Sequence, residues 1–223
     1  MLTEITEREL YNRIRQPFQS LRSDPSPALF VDVLKRCYEV VDSFIASLTK
    51  ISVIQNIACC KGCSYCCSLP VHAHSYEIIA IAEHIKQTWS KGEISALKRR
   101  IKHYIEHSEF GRPFNENTEL VFCPLLRKGS CSIHPLRPIN CQAHHSSDVS
   151  DCIKAMNGLP SIIDFNSLVS DLYKIEYDAI HSLFTEWDWD VSQQNLTLGL
   201  KRALEQKNST ERYLSGERLF IGK

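Results

Sequence analysis

The stretch Cys59-Cys60-Lys61-Gly62-Cys63-Ser64-Tyr65-Cys66-Cys67 constrains this chain more than any other, because five of its nine residues are cysteine. From Cys60 onward it reads C-x-x-C-x-x-C-C. As packing material a thiol is merely small and apolar, whereas as chemistry it is a nucleophile and a soft metal ligand. Packing does not explain this density of thiols around a glycine, and binding a thiophilic metal does. Gly62 supplies the backbone freedom that a tight loop requires. The rest of the chain has to supply the other ligands and a scaffold that brings them to this loop.

The chain has ten cysteines, and eight of them form the candidate ligand set: Cys60, Cys63, Cys66, Cys67, Cys123, Cys131, Cys141 and Cys152. They fall into two groups of four along the sequence. Four thiolates complete a tetrahedral zinc site or hold an iron–sulfur cubane. In C-x-x-C spacing, two thiolates on one turn reach one metal. The run C-x-x-C-x-x-C together with Cys123-Pro124 also suits a 4Fe–4S cluster, whose fourth ligand in ferredoxin-type runs is a Cys-Pro. Cys66 and Cys67 are adjacent and their side chains diverge, so they serve two sites, or one of them is structural. Spacing leaves zinc and iron both open. Cys59 could replace Cys60 by a shift of one, but Cys60 keeps the C-x-x-C register. Cys37 sits on an apolar helical stripe and reads as a small core residue.

Charge and composition narrow the context. The 26 basic and 26 acidic residues balance, so no global field draws the chain to nucleic acid or an anionic membrane. The N-terminal segment is acidic and lacks an apolar run, unlike a secretory signal, and the most apolar stretch, 28–58, carries too many charges for a membrane span. The expected compartment is the cytoplasm, where thiols stay reduced and clustered cysteines favour metal over disulfides.

Apolar periodicity predicts helices over 4–15, 28–50, 76–89, 92–108, 166–187 and 194–206. Ser75 is the expected N-cap of the helix at 76, Ser90 and Glu93 spell a capping box, and Asn166 or Ser167 can cap the helix after it. Residues 69–74 read as extended, 109–119 as an exposed loop, and 207–223 as frayed. Short apolar runs on either side of Arg127-Lys-Gly-Ser130 predict a small hairpin. The expected fold class is mainly α: a helical scaffold around an irregular cysteine-rich metal-binding module with at most a small β-hairpin. The expected organisation is an N-terminal helical segment (1–58), a cysteine-cluster domain (59–155) and a C-terminal helical extension (156–223).

These motifs together resemble a known family. C-x-x-C-x-x-C-C at 60–67, Cys123-Pro-Leu-Leu, Gly129-Ser-Cys131-Ser-Ile-His, Arg137-Pro-x-x-Cys141 and Cys152 are similar to the YkgJ-type cysteine-cluster proteins, described as zinc- or iron-chelating with eight characteristic cysteines. The resemblance covers roughly 59–152 and implies metal binding. The family usually follows Arg-Pro-x-x-Cys with arginine, where this chain has Gln142. The flagellin lysine N-methylase shares the cysteine signature, which implies as an alternative an iron–sulfur enzyme of redox or methyl-group transfer. The glycines here are scattered and form no methyl-donor loop.

Other residues have plainer readings. His72 and His74 lie two apart on an extended segment close to Cys67, within reach of a ligand or supporting role. His134, His144 and His145 flank the second cysteine group and read as loop residues or donors to backbone carbonyls. His103-Tyr-Ile-Glu106-His107 spells H-x-x-E-H, a zinc-peptidase signature. Its helix places Ile94, Leu97, Ile101, Tyr104 and Ile105 inward, which turns both histidines to solvent. Lys98-Arg99-Arg100 reads as a solvated, salt-bridged face, and Trp187 and Trp189 as aromatic anchors of a helix end. The leading expectation is a protein that holds zinc or iron through clustered thiolates. A metal-stabilised interaction module, with the C-terminal helices as its partner surface, is a further alternative.

Overall fold

The computed structural model describes residues 4–55, 57–60, 62–108 and 120–220. The loop expected over 109–119 lies outside these described residues. Ten helices occur among them: α1 (Glu4–Arg15), α2 (Phe18–Ser23), α3 (Pro27–Lys50), α4 (Ser75–Thr88), α5 (Lys91–His107), α6 (Ile139–Ala143), α7 (Val149–Met156), α8 (Ser167–Glu186), α9 (Leu196–Glu205) and α10 (Ser209–Leu214). The strands are short: β1 (His72–His74), β2 (Leu126–Arg127), β3 (Ser130–Cys131) and β4 (Gln193–Asn195). The fold is mainly α with two small two-stranded antiparallel ladders. Among the described residues no helix is long and apolar enough to cross a membrane.

The long helices form where the apolar period dictates. In α3, Ser26 Oγ accepts from Leu29 N–H at 3.4 Å, and Pro27 follows at the first helical position, where its missing N–H costs nothing. Its stripe of Phe30, Val33, Leu34, Cys37 and Val41 is fully buried, so Cys37 is a core residue. The capping box at α5 is present in both directions, Glu93 N–H to Ser90 Oγ at 3.3 Å and Ser90 N–H to Glu93 Oε2 at 3.0 Å. Asn166 caps α8 through Val169 N–H. The entry to α4 differs from expectation. His74 is the cap residue, and Ser75, already helical, turns its hydroxyl to Asp190 and Ser192.

One ladder was not legible in advance. β1 pairs antiparallel with β4, His72 opposite Asn195 and His74 opposite Gln193, and so starts α4 and α9 side by side. The two helices then approach so closely that a Cβ on Gly199 would lie 2.6 Å from Ile78 Cδ1. Residues 207–220 are not frayed as expected. The Tyr213 side chain is buried with its hydroxyl on the Asp190 carbonyl at 2.9 Å, and Thr210 donates to Glu83 at 2.7 Å. Tertiary contact makes the six-residue α10 stable where its own length would not.

The core joins both ends of the chain. α1 and α3 pack on α8, and Phe18, Phe30, Phe184, Trp187 and Trp189 make edge-to-face and tilted ring contacts there. The two tryptophans thus anchor the end of α8.

Two carboxyl groups lie inside this bundle. Glu77 of α4 is satisfied by three donors: His74 N–H at 2.8 Å, Ile139 N–H at 2.7 Å and Tyr38 O–H at 3.0 Å. Glu176 of α8 is fully buried, and neither of its oxygens has a hydrogen-bond partner among the described residues. Burial first, then the charges of Asp42 and Glu77, push its pKa well above the ordinary 4.5, and Arg137 opposes the rise. Cys37, Tyr38 and Asp42 on α3, Tyr76 and Glu77 on α4 and Tyr173 on α8 are the other titratable groups that couple to it. A carboxyl whose folded pKa is raised contributes stability that is fully present below its unfolded value and is lost as pH rises toward the folded one. The Glu176→Gln variant is therefore expected to gain on the wild type as pH rises above about 4.5, by up to ~1.4 kcal/mol per pH unit. Urea midpoints between pH 4 and 9 measure the difference, and parallel profiles for the two proteins would refute a buried, protonated Glu176.

Candidate metal centre

The cysteine loop is anchored at both ends. Ala58 N–H donates to the Ser146 carbonyl at 2.8 Å, and the Cys67 carbonyl accepts from Cys123 N–H at 2.8 Å. Between them Gly62 takes φ +93°, the left-handed region that a side chain would resist, and Tyr65–Ser68 form one 3₁₀ turn. α7, which carries Cys152, packs on that turn.

The second group sits on a hairpin and a short helix. Leu126 N–H closes a turn onto the Cys123 carbonyl at 2.9 Å. β2 and β3 follow, with Leu126 opposite Cys131. Lys128 and Gly129 both have positive φ, as a two-residue hairpin turn matched to strand twist demands. Arg100 of α5 donates to the Pro124 carbonyl at 2.8 Å, so this arginine holds the Cys-Pro turn instead of the solvated face expected for it. Cys141 lies in α6. Pro138 precedes that helix and offers no side-chain cap, and Glu77 from α4 takes the first N–H of α6 instead.

The thiols lie in two neighbourhoods. Cys63 feels the charges of Cys60, Cys66 and Cys152, and Cys59 those of Cys63, Cys66 and Cys152. Cys67 feels Cys66, Cys123 and Cys131, and Cys141 feels Cys123, Cys131 and Cys66. Cys66 is common to both. Across the division between the two sequence clusters, Cys152 is carried on the helix that packs against the 3₁₀ turn, and Cys67 is tied to Cys123 at the start of the hairpin.

Burial pushes the Cys123 thiol up to about 11, and Leu125 and Leu126 N–H groups directed at its sulfur pull the other way. Burial also raises Cys131 and Cys63, each opposed by the N–H two residues on, from Ile133 and Tyr65. Cys141 is raised by burial and then by neighbouring thiols. A shared proton with Cys67 lowers Cys66 to about 7, helped by Arg137, and raises Cys67. Arg137 is therefore the cation whose charge acts on both Cys66 and Glu176. The sequence showed it only as part of Arg-Pro-x-x-Cys. Gln142 is buried and donates to the Arg137 carbonyl at 2.8 Å, so the position following Cys141 holds backbone in place and brings no charge.

Donor chemistry tests whether these residues suit zinc or iron. Backbone N–H groups aimed at sulfur favour the thiolate over the thiol, which is the form that binds metal. Cys63, Cys123 and Cys131 are all held this way. Among the described residues no three His, Cys, Asp or Glu side chains stand in ligating geometry.

The histidines do not join it. His74 is buried, with Nδ1 on the Val191 carbonyl and Nε2 on Gln193, and it stacks on Tyr76. His72 is exposed. His145 bridges the Ala143 carbonyl and Asn166 N–H at 2.8 Å each, and His134 meets Arg137 at 3.2 Å. His144 packs against Phe165. His103 and His107 lie on the exposed face of α5, where H-x-x-E-H cannot gather a buried metal.

Residues 59–160 match the CxxCxxCC family model, described as "putative zinc- or iron-chelating domain". The match takes in the cysteine module and just under half of the chain. All eight candidate ligands fall inside it, as does Cys59, and Cys37 lies outside. The match also takes in α4 and α5, the helical pair that separates the two sequence clusters. No curated protein and no solved structure matches the chain.

Proposed function

We propose that this protein binds zinc or iron, the latter including a 4Fe–4S cluster, through the thiolates of Cys60, Cys63, Cys66, Cys67, Cys123, Cys131, Cys141 and Cys152. The observation that carries this reading is the backbone. Cys123 N–H donates to the Cys67 carbonyl at 2.8 Å, and this bond ties the two sequence clusters of thiols together within residues that match a family described as chelating. When bound, zinc would cross-link the loops, and an iron–sulfur cluster would add electron transfer. The chain's own part is to hold thiolates in place, with Arg137 as the nearby cation and α5 fixing the Cys-Pro turn. A site closed by thiolates alone is structural or a metal store. The cytoplasm, which keeps thiols reduced, is the compartment that suits it.

Anaerobic purification followed by metal analysis and a visible spectrum tests the proposal. Metal bound in the wild type and absent from a combined Cys60→Ser, Cys63→Ser, Cys123→Ser variant is the expected result. Absorption near ~400 nm with iron and sulfide identifies a cluster, and a colourless zinc protein identifies zinc. Unchanged metal content in the variant would sink the assignment.

A further inference from the structure

We infer that the eight thiols form two separate centres whose ligands interleave along the chain: Cys60, Cys63, Cys66 and Cys152 in one, and Cys67, Cys123, Cys131 and Cys141 in the other. This rests on the metal-binding reading above and goes beyond it in number and membership. The sequence order alone suggests the opposite partition, one group before the α4–α5 pair and one after.

Three observations carry the regrouping. First, the backbone seams divide the loop. Its C-terminal end is stitched to the hairpin by Cys123 N–H on the Cys67 carbonyl, and its N-terminal end to the segment before α7 by Ala58 N–H on the Ser146 carbonyl. Second, α7 packs on the 3₁₀ turn and the Ala58–Ser146 bond draws the start of the loop to the segment before it, which sets Cys152 against the loop, while Leu126, bonded to the Cys123 carbonyl, stands opposite Cys131 in the ladder and so sets Cys131 by the Cys123–Cys67 seam. Third, Cys66 and Cys67 are consecutive on a 3₁₀ turn, where successive side chains are about 120° apart around the axis. Two consecutive thiols are awkward ligands for one ion and natural ligands for two neighbouring ones. The Cys123 N–H bond to the Cys67 carbonyl puts Cys67 on the hairpin side, which leaves Cys66 to the other. Cys59 lies outside the C-x-x-C register that Cys60 shares with Cys63, which leaves it beside the first centre as a non-ligand.

Metal per chain decides the matter in the anaerobically purified full-length protein and two variants, Cys60→Ser/Cys152→Ser and Cys67→Ser/Cys131→Ser. Each variant is expected to keep half the wild-type metal, and the four substitutions together none. Cys59→Ser is expected to keep all of it. Complete loss in either double variant with its far-UV helical signal intact means one joint site and overturns the partition. Full retention in either overturns it too, and loss of half in Cys59→Ser overturns the exclusion of Cys59 from the first centre. Where a variant fails to fold, cobalt(II) titration of the metal-free wild type gives the answer. The thiolate-to-cobalt absorption should break at two equivalents, and a break at one overturns the inference. A wild type that binds no metal at all overturns the underlying function instead.

Discussion

Glu77→Ala is expected to destabilise the protein by about 3–5 kcal/mol, far beyond a typical surface change. The carboxylate is 1% exposed and serves three donors from three parts of the chain. Alanine leaves His74 N–H, Ile139 N–H and Tyr38 O–H buried without an acceptor, at ~1–3 kcal/mol each, offset in part by relief from burying the carboxyl. Burial raises the pKa of Glu77 while the three hydrogen bonds pull it down. Glu77→Gln keeps an acceptor and one hydrogen-bonding oxygen, so it should cost roughly half as much. Urea unfolding of the two variants measures both. An alanine variant within ~1 kcal/mol of wild type would show that these bonds are dispensable. The loss should also reach the metal centre, because Ile139 begins α6 and Cys141 lies two residues further on. Glu77 thus couples the helical scaffold to a candidate ligand, as Arg100 does at the Cys-Pro turn.

The sequence revealed the scaffold better than the contacts. α3, α4, α5 and α8 follow from apolar period and caps, because a long amphipathic stripe encodes both its helix and its buried face. β1–β4 had no such signal. Gln193–Asn195 is three polar residues, and its partner lies some 120 residues earlier, so only the tertiary fold makes it a strand. α10 and α6 are too short for period to speak. Glu77 and Glu176 were hidden because periodicity counts a glutamate as a surface residue, whereas here two of them face inward. The thiol motif itself was fully legible, being local. The neighbours of each thiol were not. That Cys152 stands by Cys63 and Cys67 by Cys123 depends on how α7 and the hairpin fold back onto the loop. Arg100 shows the same limit. It belongs to a basic run that reads as solvated, and its partner is the carbonyl next to Cys123.

Withdrawing metal should loosen the cysteine module and leave the helical bundle standing. The reason is where each part finds its stability. α3, α4, α8 and α9 bury a continuous apolar core, with Phe30, Leu34, Ile78, Ile79, Leu172, Phe184 and Leu200 all at 1% exposure or less. The loop at 57–70 and the hairpin at 120–133 have few core side chains and rest on isolated backbone bonds, among them Ala58 to Ser146 and Cys123 to Cys67. Metal bound only by the folded state adds RT ln(1 + [L]/Kd), about 4 kcal/mol at a thousandfold excess over Kd. For a chain of this size that corresponds to a rise of about 8–16 °C in Tm. Chelation under reducing conditions should therefore lower Tm by that amount and raise amide exchange in the loop, the hairpin and α7, with α4 and α8 nearly unchanged. The contrast between segments is the sharper measure, since a general loss of stability would raise exchange in every helix together. If the loop and hairpin kept their protection after chelation, the bonds within the chain would suffice to hold the thiols. The metal would then be a passenger in a preformed site and not part of the fold.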